Sequence, residues 1–188
     1  MPTIMPAFDR FPKEGVLIGR LLVGYGELEL GLCFCVAEAR DDFDMAFKAM
    51  FRPRGVSLRI EIGDAIGRPC FKAVGLTQDF AEAIAAMRHC LKIRNQYAHC
   101  YWTDDFGRSL GFVKLETTAE KNTRIDNVYH IKARDIDVPT LQAQESYFRY
   151  TFAVFDALRS EYKVKTGKLS KSAFAIPKKE PQPPLCKP

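Results

Sequence analysis

Apolar residues recur at helical spacing through most of this chain. Leu17, Leu21, Leu28, Leu32 and Cys35 fall on one broad face of a segment running from Gly15 to Arg40, which predicts a long first helix. Gly19 and Gly26, and likewise Gly24 and Gly31, lie seven apart and draw two lines down that helix. Each glycine costs about 1 kcal/mol against alanine in a helix interior, so the lines predict close approach by another helix. Asp41 or Asp42 caps a short helix carrying Phe43, Phe47 and Met50, which ends before Pro53 and Gly55. Ser57 opens another, with Leu58, Ile62 and Ile66 inward, closing at Gly67 and Pro69. Thr77 caps the next, read as uninterrupted from Gln78 to Cys100, with Phe80, Ile84, Met87 and Leu91 at steps of four, three and four. Arg94 and Ala98 continue that stripe, and Arg88, Lys92, Asn95 and His99 form a polar, mostly basic row beside it.

The pattern then changes. Tyr101-Trp102, the turn-prone Asp104-Asp105-Phe106-Gly107 and the run from Leu110 to Leu115 read as a β-hairpin, and a third strand is expected at Val128 to Ala133 after a polar loop. Asp137 and Pro139 start a last long helix with an aromatic-rich face of Tyr147, Phe148, Phe152, Val154, Phe155, Leu158 and Tyr162, ending near Gly167. Beyond it, Pro177, Pro181, Pro183, Pro184 and Pro188 stand among lysines in an extended tail, disordered or laid along the body or a partner. The expectation is a mainly α, up-and-down helical bundle with a small antiparallel β-hairpin or three-stranded insert at about 100–136. It occupies one domain, residues 1–167, followed by a Pro/Lys-rich tail, 168–188.

Composition narrows the picture. With 188 residues, 47% of them hydrophobic, the chain suits one packed domain. Its N-terminus lacks the basic and apolar regions of a signal peptide. A membrane span over Val16 to Val36 would have to bury Arg20, Glu27 and Glu29, so no membrane association is expected. Without export the six cysteines are expected as reduced thiols in the cytoplasm. Of the net charge of +5, residues 168–188 hold +4, from five lysines and one glutamate, which leaves +1 for residues 1–167. Any footprint for RNA must therefore come from local clustering such as Arg88, Lys92 and Arg94, possible phosphate contacts, with or without the tail.

The candidate chemistry lies in Arg94-Asn95-Gln96-Tyr97-Ala98-His99-Cys100-Tyr101. Arg94 and His99 are about 140° apart on an ideal helix, so they converge only if the arginine swings or the last turn distorts. Asn95 and His99, four apart, share a face. Arg94, Asn95 and His99 resemble the motif of the HEPN superfamily, whose ribonuclease members carry Arg, four intervening residues and His on one helix, commonly with a polar residue directly after the Arg. One branch adds a Tyr two positions after the His, matched by Tyr101. The resemblance covers the motif helix and the coarse helical architecture. It implies a HEPN-like fold and a metal-independent endoribonuclease, a toxin or defence effector, whose products end in a 2′,3′-cyclic phosphate and a 5′-hydroxyl. It also implies Tyr101 as a position for nucleotidylation by a partner transferase, in a toxin–antitoxin setting. This chain carries no Gly-Ser followed by spaced aspartates, so such a transferase would be a second protein.

The residue types fit that chemistry on their own terms. Histidine can accept the proton of an attacking 2′-hydroxyl or donate one to the leaving 5′-oxygen. Arginine can bind the non-bridging phosphate oxygens, and Asn95 can orient His99, the ribose or the phosphate. The alternatives are a structural pair tying a helix end to a carboxylate, with Glu27 and Glu29 as partners for the arginine; a non-catalytic module binding a nucleotide, RNA or a protein; and a helical scaffold whose tail recruits a partner. With no second motif helix, two facing Arg/His pairs must come from two chains, so a homodimer through the glycine-lined first helix is expected. The doublets His89-Cys90 and His99-Cys100 are about 15 Å apart along a helix, too far to share one metal ion. No metal or cofactor is expected, and His130 reads as a surface or packing residue.

Overall fold

The computed structural model describes residues 4–104, 108–121, 124–127 and 131–186. Among these the chain forms α1 (Pro6–Arg10), α2 (Pro12–Arg40), α3 (Phe43–Phe51), α4 (Val56–Ala73), α5 (Thr77–Tyr97), β1 (Cys100–Asp104), β2 (Leu110–Lys114), α6 (Leu115–Lys121), β3 (Arg134–Ile136) and α7 (Val138–Lys165). The fold is mainly helical with one small three-stranded antiparallel sheet, as the change of apolar period indicates. Among the described residues no helix is long and apolar enough to cross a membrane. The chain divides into two compact units. A bundle unit contains Gly24–Leu91 and Tyr147–Gln182, and a sheet unit contains Met1–Val23, Lys92–Ser146 and Pro183–Pro188.

In the bundle unit, helices meet where small residues permit it. The face that α4 buries consists of Ile60, Gly63, Gly67 and Phe71, not Leu58, Ile62 and Ile66; Leu58 is 45% exposed. The expected line scored only side-chain hydrophobicity, whereas two glycines form the middle of the contact surface. A Cβ on Gly63 would lie 2.6 Å from Leu32 of α2, and one on Gly67 would lie 2.7 Å from the Phe80 ring of α5. Phe71 and Phe80 stack with centroids 4.4 Å apart, and Tyr162 of α7 packs on Phe71 at 5.0 Å. Burial of each such aromatic ring contributes about 1.5–3 kcal/mol. On the other side of the unit, the Cys35 thiol of α2 donates to the Phe155 carbonyl of α7, and Cys90 of α5 meets Thr151 of α7.

Pro69 does not close α4, which continues through it to Ala73. Its missing N–H deprives only the carbonyl of Ala65, and both residues are exposed, so the lost bond falls on the solvent side. Helix α3 forms as the sequence indicates, with the Met45 N–H donating to the Asp42 carboxylate at 2.9 Å. Its core residues are Ala46 and Met50, while Phe43 and Phe47 are 51% and 44% exposed. Glu29 is not a partner for the motif arginine: it is buried and accepts two bonds from Arg59, at 3.0 and 3.1 Å. The glycine lines of α2 leave most of their surface open. A Cβ at Gly19, Gly24 or Gly26 would meet nothing within 4 Å, and only Gly31 has a neighbour, Phe155, at 3.5 Å.

The sheet unit is built on the hairpin. Cys100 pairs with Lys114, Trp102 with Phe112 and Asp104 with Leu110. β3 then adds to β2 with Arg134 opposite Phe112 and Ile136 opposite Leu110. Of the third strand expected at Val128 to Ala133, residues Val128, Tyr129 and His130 lie outside the described residues, as do Asp105, Phe106 and Gly107 of the expected turn; residues 131–133 are not strand. Helix α6 replaces part of the expected loop, with Glu116 in its first turn, where the helix dipole favours a negative charge. One face of the sheet carries the unit's aromatic cluster: Trp102 lies 5.2 Å from Phe8 of α1, 5.9 Å from Tyr97 and 5.4 Å from Phe112.

Two glycine substitutions separate contact from flexibility. Gly67→Ala is expected to destabilise the protein by about 1–3 kcal/mol, because the Phe80 ring is already stacked and cannot retreat freely. Gly19→Ala, in an open helical position, is expected to be neutral or to stabilise by up to about 1 kcal/mol. Urea denaturation of both variants checks this, and equal stability of Gly67→Ala and wild type would contradict the close contact.

Candidate functional site

The motif residues cluster at the point where α5 ends and β1 begins. The last helical bond is donated by the Ala98 N–H to the Arg94 carbonyl at 3.1 Å. His99 then adopts φ +58° and Cys100 enters β1. The helix therefore stops at Tyr97 rather than Cys100. His99 occupies the left-handed position that follows many helices and usually holds glycine. Its departure from helical geometry breaks the expected stacking of Asn95 and His99 along one face.

The structure brings Arg94 and Asn95 together, the arginine Nη1 donating to the Asn95 Oδ1 at 3.1 Å. Arg94 is half-buried, and Asn95 and His99 are exposed. Among the described residues the His99 side chain makes no hydrogen bond or ion pair, so it is not joined to Arg94 or Asn95. Tyr101 is half-buried on β1 opposite Val113. Lys92 is exposed. Arg88, in the bundle unit, is held by Asp64 at 3.3 Å, and Arg68 holds the same carboxylate at 2.6 Å. Its charge is thereby partly matched, which weakens it as a free phosphate contact.

Behind this turn lies a polar network that the motif did not indicate. Tyr97 is buried, and its hydroxyl donates to the Gln144 Oε1 at 2.7 Å. Gln144, with no exposed surface, uses its Nε2 to donate to the Pro184 carbonyl at 2.9 Å. The Cys186 N–H donates to the Gln96 Oε1 at 2.6 Å, and the Cys186 sulfur lies 3.6 Å from the Tyr97 hydroxyl. The end of the tail is thus fastened to the turn that carries the motif. Burial, with a smaller contribution from Cys186, holds the Tyr97 hydroxyl far above the ordinary tyrosine range. Burial also pushes the Cys100 thiol up to about 11, against the opposing pull of Lys114 and Arg134. The Cys100 thiol donates to the Gln96 carbonyl at 2.9 Å, while the Gln96 Nε2 is buried without a partner among the described residues.

Both buried members of this network carried a sequence signal. Cys90, Ile93 and Tyr97 form a second apolar line at steps of three and four beside the Phe80 stripe, and all three are buried. Gln144 stands between Leu141, Tyr147 and Phe148, at minus three, plus three and plus four, so a polar group there lies within an apolar face and has to find a partner.

The resulting site is an exposed imidazole on a left-handed residue, next to an arginine–amide pair, on a mainly helical protein with a small antiparallel sheet. Comparison of the chain with protein-family models, curated proteins and solved structures finds no match.

Tyr97→Phe leaves the buried Gln144 Oε1 without its donor and is expected to cost about 1–3 kcal/mol in urea denaturation. The pH dependence has a defined sign. Tyr97 stays protonated in the folded state to higher pH than in the unfolded chain, where tyrosine ionises near about 10. Its contribution is fully present below about pH 10 and is lost as pH rises through the raised folded value. Stability measured from pH 8 to 11 should therefore fall less steeply in Tyr97→Phe than in wild type.

Proposed function

We propose that this protein is a metal-independent endoribonuclease of HEPN type, with His99 as the proton-transferring group and Arg94 and Asn95 as phosphate and ribose contacts. The observation that carries this reading is the backbone at His99. A non-glycine residue at φ +58° bears a cost of roughly 1 kcal/mol that glycine would avoid. Folding gives no return for it, since the exposed imidazole bonds to nothing among the described residues. Residues kept in such conformations cluster at functional sites.

In the proposed reaction the 2′-hydroxyl oxygen loses its proton to an imidazole and attacks the adjacent phosphorus. The bond from phosphorus to the 5′-oxygen breaks, and that oxygen takes up a proton, which leaves a 2′,3′-cyclic phosphate and a 5′-hydroxyl. Arg94 offsets the charge that develops on the non-bridging oxygens. A second imidazole for the second proton transfer comes from a second copy, so the proposed active form is a homodimer. Tyr101, half-buried and one strand residue beyond Cys100, is the proposed point of control by a nucleotidyltransferase or antitoxin partner.

A second reading is supported by the Arg94–Asn95 bond, which joins these two side chains without reaching His99 and leaves their remaining N–H donors open to a phosphate or base. On that reading the turn binds RNA or a nucleotide without turnover.

His99→Gly separates function from folding. Glycine fits the left-handed position, so the variant is expected to be as stable as wild type or more stable by about 1 kcal/mol. Cleavage of single-stranded and structured RNA in EDTA is expected to be lost in His99→Gly and in Arg94→Ala. Unchanged cleavage in either folded variant would overturn the catalytic assignment. Salt-sensitive RNA binding by wild type without any cleavage would select the second reading.

A further inference from the structure

The sheet unit contains a cleft of about 1110 Å³ that none of Arg94, Asn95 and His99 lines. Its base is apolar, with the buried Phe112 and Ile136, and Leu185 of the tail stands at its wall. Four cations line it, Lys114, Arg124, Lys132 and Arg134, of which Arg124 is paired with Asp126. Arg134 sits opposite Phe112 across β2 and β3, and Lys114 lies two residues after Phe112 on β2. Side chains two apart on a strand, and those directly opposite, share a face, so Lys114 and Arg134 project to the same side of the sheet.

Three carboxylates also line the cleft; one is matched by a cation, and the other two keep their charge but are engaged by neutral donors rather than by the lining cations. Asp126 pairs with Arg124 at 2.7 Å, Asp135 accepts from the Ser109 hydroxyl at 2.8 Å, and Asp137 accepts the Thr140 N–H at 2.8 Å as the cap of α7. Among the described residues Lys114, Lys132 and Arg134 have no carboxylate partner. Arg134 acts on the cleft wall, where it opposes the rise that burial imposes on the Cys186 thiol, and both Lys114 and Arg134 do the same at the Cys100 thiol nearby.

We propose that this cleft binds a phosphate ester with an organic body, of the kind a nucleoside phosphate presents. Arg134 offers a planar fork for two phosphate oxygens, and Lys114 and Lys132 supply point charges beside it. Phosphate, with nearly two negative charges and three terminal oxygens, suits a cleft with several unpaired cations better than a carboxylate does. The cleft is also far larger than a bare phosphate and exceeds the volume of most single-ligand sites, roughly 300–1,000 Å³. The organic part therefore lies along Ile131, Ile136 and Leu185. A free nucleotide and the terminal nucleotide of an RNA strand share this chemistry. The inference does not depend on His99 or on cleavage.

The test is calorimetric titration of the full chain with AMP, adenosine, inorganic pyrophosphate and a short single-stranded RNA. AMP is expected to bind, more weakly as salt rises, with adenosine and pyrophosphate each weaker by on the order of tenfold because one half of the contact is missing. Lys114→Ala and Arg134→Ala should each weaken AMP binding by on the order of tenfold, and Arg134→Lys by less, since it keeps the charge and loses the fork. AMP should slow alkylation of Cys186, which stands in the wall. His99→Gly should bind AMP as wild type does, so loss of cleavage and loss of cleft binding are told apart. Competition between RNA and AMP would identify a strand terminus as the source of the phosphate, and its absence a free nucleotide; AMP binding supports the site in both cases. Failure of AMP to bind, equal binding of adenosine and AMP, or unchanged binding in folded Lys114→Ala and Arg134→Ala would overturn the proposal.

Discussion

The hydrogen bond from Tyr97 to Gln144 fixes the sheet unit. Both residues are buried, so neither polar group can turn to water, and a missing partner would cost about 1–3 kcal/mol. The bond also sets a direction. Because the Gln144 oxygen accepts from the tyrosine, its nitrogen faces outward to donate, and the Pro184 carbonyl receives it. One phenol on α5 thereby orients an amide on α7, and that amide anchors the end of the chain. The Tyr97 ring is held at the same time, edge-on to Phe112 at 5.5 Å and beside Trp102, so the polar chain and the aromatic cluster constrain one another. The turn from Arg94 to Cys100 inherits this rigidity, since Gln96 and Tyr97 are pinned from behind while Asn95 and His99 face outward.

The bundle unit relies on a different device. Its helices approach through absent side chains, at Gly63 against Leu32 and Gly67 against Phe80, and the space released is filled by the Phe71–Phe80 stack. The tail adds to this unit along its edge. The Ser160 hydroxyl, almost fully buried, accepts from the Ser172 hydroxyl and the Ala173 N–H, both at 2.9 Å, and Lys168 reaches Glu38 and Asp41. Burying a lone serine hydroxyl on an otherwise apolar helix would be unfavourable. The tail supplies its partners, which is why a proline-rich segment with little propensity for regular structure has a defined path here.

Much of the fold was legible in the sequence because the long helices bury strong apolar stripes. Leu17, Leu21, Leu28, Leu32 and Cys35 of α2 are all buried, as are Phe80, Ile84, Met87 and Leu91 of α5 and most of the aromatic face of α7. The Asp42 cap and the hairpin were readable from local chemistry that operates over a few residues. What escaped depends on partners distant in sequence. Glycines act as contact surfaces only when a Leu or Phe from another helix is placed over them, so the inward line of α4 was displaced from the one its hydrophobic residues suggested. Pro69 marks an end only if its missing donor falls on a buried side. The three residues of β3 are too few to show a period. The motif was legible as residue types and spacing, but the helix stop at Tyr97 was not: no glycine signals it, and His99 itself takes the left-handed turn.

Charge shows the same dependence on context. The tail accounts for most of the net positive charge, so it could add to a local cluster of cations on the body. In the structure Lys168 is matched by Glu38 and Asp41, and Lys179 by Glu82 at 3.3 Å. The arginines of α4 and α5 in the bundle unit are likewise committed, Arg59 to Glu29, and Arg68 and Arg88 to Asp64. Surface pairs of this kind contribute little to stability, about 0–1 kcal/mol each, but they decide which cations remain available. In the sheet unit Lys92, Lys114, Lys132 and Arg134 have no carboxylate partner among the described residues, and Arg94 is bonded only to a neutral amide. In the sheet unit an anion therefore meets cations without a carboxylate partner, within the same unit as the exposed His99; Arg40, Arg52, Arg54 and Lys72 of the bundle unit likewise have no ion pair among the described residues. The near-neutral total over residues 1–167 conceals these local differences, because pairing as well as composition determines where a positive potential survives.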